Sequence, residues 1–114
     1  MFEGEEIARI GVLPCGMQIH IVTDDGYEVP HFHVRDIGTN TDVCCISLTE
    51  PKYTNHLPGL RNLLDSEANE LADFMEQPAA NIRWSDNFEK TVDMWNANNI
   101  QQTPDILCPN YRRL

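Results

Sequence analysis

Apolar and polar positions alternate through the first half of the chain and recur every three to four residues in the second half. Ile7, Ile10 and Val12 give Glu6–Leu13 the content of a strand, and Pro14-Cys15-Gly16 closes it with a turn. Met17–Thr23 and Glu28–Val34 then flank Asp24-Asp-Gly-Tyr27, where Asp25-Gly26 is a strong two-residue hairpin signal. That turn predicts His20 opposite His31, Ile19 opposite Phe32, Gln18 opposite His33 and Met17 opposite Val34. Strand alternation then places Gln18, His20, His31 and His33 on one face, and Met17, Ile19, Ile21, Phe32 and Val34 on the other. Pro30 has no N–H for a ladder and predicts an edge, bulge or bend beside His31. After a polar connection, Ile37–Asp42, the run Val43–Leu48 reads as a fourth, buried strand. The segment 49–59, with Pro51, Pro58 and an isolated His56, has neither period and reads as an ordered loop laid over a sheet edge.

From Leu60 the period becomes helical: Leu64, Ala68, Leu71 and Met75 form a stripe, with Asp65 or Ser66 as N-cap and Pro78 as terminator. A second helix starts near Asp86, which with Glu89 resembles a capping box, and carries Phe88, Val92 and Trp95 on one face. Trp84 is expected near that stripe. Asn96–Asn99 frays the helix, and residues 100–114, with Pro104 and Pro109, read as an irregular tail. The pattern predicts an α+β protein with one domain over residues 1–114 and a core at about 6–98. Its small antiparallel sheet of about four strands packs one face against two C-terminal helices.

Charge narrows the partners. Eighteen acidic against eight basic side chains in 114 residues give a net charge of −10, which repels polyphosphate surfaces and argues against duplex DNA. RNA would depend on the few cations at Arg35, Lys52, Arg61, Arg112 and Arg113. The acidic N-terminus lacks the design of a secretory signal, and no apolar run approaches the roughly 20 residues that span a bilayer, so the expected setting is cytoplasmic with no membrane. The cysteines Cys15, Cys44, Cys45 and Cys108 match no CxxC zinc knuckle and are expected as reduced, apolar-like thiols. Cys44 and Cys45 point to opposite faces of a strand, and a functional thiol at Cys45 or Cys15 stays open.

Candidate chemistry concentrates in Val29-Pro-His-Phe-His-Val34. Imidazoles at i and i+2 on a strand, with His20 across, can converge on Zn²⁺ or Fe²⁺; His20, His31 and His33 are the candidate ligands, and His56, Asp36 or Glu28 a fourth. The spacing of Gly26, His31, His33 and Asp36 is similar to the first metal motif of cupin barrels, whose second histidine motif is missing. Alternatively the imidazoles line a half-exposed face, hydrogen-bonded, with His20 stacked on His31. A recognition surface of Tyr27, His31, His33 and Arg35 is a third reading. For acid–base catalysis the candidates are His31, His33 and Asp36, as in a metal-independent ribonuclease, with Glu28 as another acid. No GxSxG, P-loop, GxGxxG or HExxH motif occurs.

Ile10-Gly-Val12, Pro30-His-Phe-His-Val34, the Leu- and Glu-rich helix and Phe88-Glu-Lys-Thr-Val-Asp-Met-Trp95 together resemble the domain of unknown function 4160 family, most sharply over Pro30–Val34. The resemblance implies a compact α+β unit marked around His31 and His33. It also implies a small bacterial protein of a kind sometimes paired with a second one in toxin–antitoxin-like systems. The leading expectation is therefore a small interaction or regulatory module, with a protein partner or a second copy of itself and no required cofactor. The alternative is a metal-binding or histidine-dependent enzyme, hydrolase- or ribonuclease-like, using His20, His31 and His33 with zinc or iron; whether the protein is an enzyme is left open.

Overall fold

The computed structural model describes residues 7–22, 29–99 and 111–114. Four strands, β1 (Ile7–Val12), β2 (Met17–Val22), β3 (His31–Asp36) and β4 (Thr41–Ser47), are followed by α1 (Asp65–Glu76) and α2 (Asn87–Asn98). The strands form one antiparallel meander in the order β1-β2-β3-β4. This is the α+β architecture that the change of period predicts.

The apolar face of the sheet sorts as alternation requires. Met17, Ile19, Ile21, Phe32 and Val34 join Cys44 and Ile46 from β4, and with Leu71, Met75, Phe88, Val92 and Trp95 of the helices they make one buried cluster. Gly11 lets α1 approach closely, because a Cβ there would sit 2.4 Å from the Phe74 ring. Gly16, at φ +91°, makes the left-handed corner between β1 and β2, where Leu13 N–H donates to the Met17 carbonyl.

The pairing of β2 with β3 differs from the expected one. His20 lies opposite His33, Ile19 opposite Val34, Gln18 opposite Arg35 and Met17 opposite Asp36. Each partner is displaced by two residues, so the faces survive while every neighbour changes. Asp25-Gly26, on which the shorter turn rested, falls outside the described residues. Pro30 immediately precedes β3, an inner strand; its carbonyl accepts from Leu48 N–H, so the missing donor costs the ladder nothing.

The first helix begins one step before its expected cap, and the second begins at its expected cap with a different partner for Glu89. α1 starts at Asp65 behind Leu64, whose N–H donates to Glu67 Oε1 at 2.8 Å; neither Asp65 nor Ser66 is the cap. Leu64 itself is exposed and stands apart from the buried stripe of Leu71, Ala72 and Met75. In α2, Asp86 caps the Glu89 N–H at 2.8 Å, but Glu89 reaches back to Ser85 rather than to Asp86. Trp84 turns from the apolar stripe to the polar side, donating to Asp93 Oδ2 at 3.0 Å beneath Arg83 and Lys90. Rather than fraying at Asn96, α2 runs to Asn98, and Asn99 Nδ2 donates to the carbonyls of Val22 and Trp95. Most of the expected tail lies outside the described residues. Its end is tied down by Tyr111 against Phe88, Arg112 on the Thr49 carbonyl, and Arg113 on Glu76 and Asp73.

Candidate metal centre

The face of the sheet opposite the helices carries one straight transverse row, Arg9–His20–His33–Cys45, one residue from each strand. Beside His33 in the next row, Arg35 pairs with Asp42. Asp42 and Cys45 are three residues apart and would face opposite ways on a regular strand. The bulge after Val34 brings both onto the histidine face, as bulges re-aim side chains beside a site.

This face is not half-exposed. His20, His31 and His33 are 0%, 1% and 3% exposed. Part of the cover is segment 49–59, which pairs along β4: Lys52 O accepts from Ser47 N–H, Thr54 N–H donates to Cys45 O, and Asn55 Oδ1 accepts from Cys45 N–H at 2.8 Å. That pairing sets His56 edge-on to His31, with ring centroids 5.0 Å apart. On the other side the Trp95 indole lies 5.2 Å from His31. His20 stacks on His33, at 5.2 Å and 22°, rather than on His31.

The hydrogen bonds fix how the rings point. His31 Nδ1 lies 2.7 Å from the Val29 carbonyl, which only accepts, so the ring hydrogen is on Nδ1 and Nε2 presents its lone pair. His33 Nδ1 lies 3.3 Å from Asp42 Oδ2, which likewise favours a hydrogen on Nδ1. The two Nε2 atoms then meet at 3.2 Å. Either a hydrogen on His33 Nε2, donated to the His31 lone pair, or a metal ion held by both nitrogens satisfies that approach. Zinc–nitrogen bonds of about 2.0–2.1 Å at tetrahedral angles hold two nitrogens about 3.3 Å apart, which the observed spacing matches.

Two overlapping triads can hold an ion. His31, His33 and Cys45 each offer a donor atom within 4.8 Å of the other two, and so do His20, His33 and Asp42. Cys45 Sγ lies 3.5 Å from His33 Nδ1. Burial, then the charges of His33 and Arg35, push His20 down to about 4 against the pull of Asp42, so its ring is neutral near neutral pH. For Asp42 burial acts upward, but the hydrogen bond and charge of His33, with Arg35 and His20, outweigh it; the carboxyl is held below its usual range and is ionised. Asp42 therefore supplies negative charge beside the neutral ring of His20 at the edge of the buried imidazole cluster.

The remaining candidates separate clearly. Asp36 Oδ1 accepts from Gly38 and Thr39 N–H groups and closes the β3–β4 turn, so it is committed to that turn. Arg35 Nε donates to Asp42 Oδ1 at 3.3 Å. Glu28 and Tyr27 lie outside the described residues. Cys15 is exposed at the β1–β2 turn, its thiol pushed up by burial and by Glu70, while Cys44 sits in the core with its thiol pushed up to about 12 by burial. Sequence reasoning missed Asp42 altogether and left Cys45 as an open thiol; the alternation signal at Val43–Ser47 carries no mark of the bulge that aligns them. No family model, curated protein or solved structure matches the chain.

Proposed function

We propose that this protein is a metal-binding regulatory module in which one tightly held divalent ion, Zn²⁺ or Fe²⁺, is bound by His31 Nε2, His33 Nε2 and the Cys45 thiolate. The observation that supports the reading is the 3.2 Å approach of two imidazole Nε2 atoms whose Nδ1 positions are each anchored, one by the Val29 carbonyl and one by Asp42. Histidine ligands held by an acceptor on their far nitrogen are the usual support of a metal site, and a nitrogen–sulfur set suits borderline-soft ions. His56 Nδ1 is 3.0 Å from the Thr54 carbonyl, which directs its Nε2 side away from that carbonyl, and its ring lies 5.0 Å from His31.

Rings no more than 3% exposed offer a substrate no path to the ion, so the metal acts on the fold and not as a catalyst. Ligands come from β3 and β4, and binding only the native state raises stability in proportion to RT ln(1 + [L]/Kd). The amount of folded module then follows metal supply. The likeness of Pro30–Val34 to the domain 4160 family falls on the same two histidines. In the two-protein arrangement that likeness implies, the metal-loaded form meets the partner.

Calorimetric titration of chelator-stripped protein with Zn²⁺ tests this. A tight first equivalent, lost in His33→Ala and weakened but kept in Cys45→Ser, is the expected result. Wild-type protein that takes up no zinc overturns the reading.

A further inference from the structure

His20 is the buried member of the cluster that this first ion leaves unused. It is wholly inaccessible, and neither ring nitrogen has a hydrogen-bond partner among the described residues. A buried, unsatisfied imidazole costs free energy that a phenylalanine of similar shape would avoid, so its presence needs a reason. Its surroundings supply one. His20 Nε2 lies 3.7 Å from Asp42 Oδ1, while the other carboxylate oxygen, Oδ2, faces His33 Nδ1 at 3.3 Å. The donors of His20, His33 and Asp42 lie within 4.8 Å of one another; Asp42 meets His33 at Nδ1, the edge opposite the Nε2 that faces His31, and His20 stacks on the His33 ring at 5.2 Å.

We propose that His20, Asp42 and the Nδ1 edge of His33 form a second site for a divalent transition-metal ion, so that His33 bridges two ions when both are bound. The inference rests on the first site proposed above. On binding the second ion, His33 gives up its Nδ1 hydrogen to solvent as a proton and becomes an imidazolate, and Asp42 passes from hydrogen-bond acceptor to ligand. Two dications then meet three negative groups: the Cys45 thiolate, the Asp42 carboxylate and the His33 imidazolate. Arg35 Nε on Asp42 Oδ1 at 3.3 Å, and Arg9 across from His20, oppose this site and make it the weaker of the two.

Co²⁺ titration of the full chain separates the sites, because the proposal gives the Cys45 thiolate to the first ion and only His20, His33 and Asp42 to the second. Wild-type protein should bind two equivalents, the first raising the thiolate-to-cobalt charge-transfer band and the second adding ligand-field absorption without more of that band. His20→Phe and Asp42→Asn should each lose the second equivalent and keep the first with its thiolate band. Asp42 lies at the rim of the cluster, so Asp42→Asn decides the matter if His20→Phe fails to fold. A single equivalent in the wild type, or two that persist in both variants, overturns the second site and leaves the first standing. No cobalt bound at all overturns both.

Discussion

His31 and His33, two residues apart on β3, face each other through their Nε2 atoms at 3.2 Å. Residues at i and i+2 share a face of any strand, but these rings are also held from behind, His31 by the Val29 carbonyl and His33 by Asp42. Convergence of this kind lets the two nitrogens share a hydrogen bond in the metal-free protein and is the geometry on which the proposed metal site rests.

Phe32 sits between these histidines in sequence and on the opposite face, wholly buried among the helices. Phe32→Ala should destabilise the protein by about 3–5 kcal/mol, through lost burial and the cavity left behind. Urea melts measure this directly. A loss below about 1 kcal/mol would mean that the apolar face is not the core.

Acid should weaken the metal-free protein through His20. Its folded pKa is about 4, against an ordinary value of 6.5. Between these values the unfolded chain takes up a proton that folded His20 refuses, so stability falls as pH drops from about 6.5 to about 4 and is intact above that window. The full effect of such a shift is about 3 kcal/mol. Asp42 adds to the loss at the acid end, since its lowered pKa gives stability that is present above the usual carboxylate range and disappears as pH falls below it. Denaturant melts at pH 7 and pH 4.5 should differ markedly for the wild type and less for His20→Phe. Equal slopes with pH in the two proteins would remove His20 as the cause.

How much of this was legible in the sequence depends on parity. Side-chain alternation survives any even slip, so the sorting of Ile19, Phe32 and Val34 from His20, His31 and His33 was readable although the register was wrong by two residues. Parity does not report partners, and His20 therefore met His33 instead of His31. Nor does it report a bulge, so Asp42 and Cys45 were not read as neighbours. Burial of the histidine face comes partly from Lys52, Thr54 and Asn55 pairing with the outer edge of β4, a contact with no periodic trace in the sequence. The helices were the clearest elements because Leu71, Met75, Phe88, Val92 and Trp95 repeat locally, whereas Leu64 fits the spacing but precedes the first turn.

Duplex DNA should not bind tightly near physiological salt. Arg35 is paired with Asp42, Lys52 with Glu50, Arg61 with Glu67, and Arg113 with Asp73 and Glu76, so these cations are already neutralised on a chain of net charge −10. Phosphate contacts need cations that release counterions. Fluorescence anisotropy with a labelled duplex should show no saturation at micromolar protein. Submicromolar binding with a steep salt dependence would reveal a basic surface not formed by these paired residues.

The central claim is tested most directly by X-ray absorption at the zinc edge, on protein loaded with one equivalent of zinc. The expected first shell contains one sulfur at about 2.3 Å and nitrogens at about 2.0 Å, with the outer-shell scattering of imidazole rings. Cys45→Ser should remove the sulfur and keep the nitrogens. A shell without sulfur in the wild type, or one without imidazole, would contradict the assignment of His31, His33 and Cys45 as the ligands.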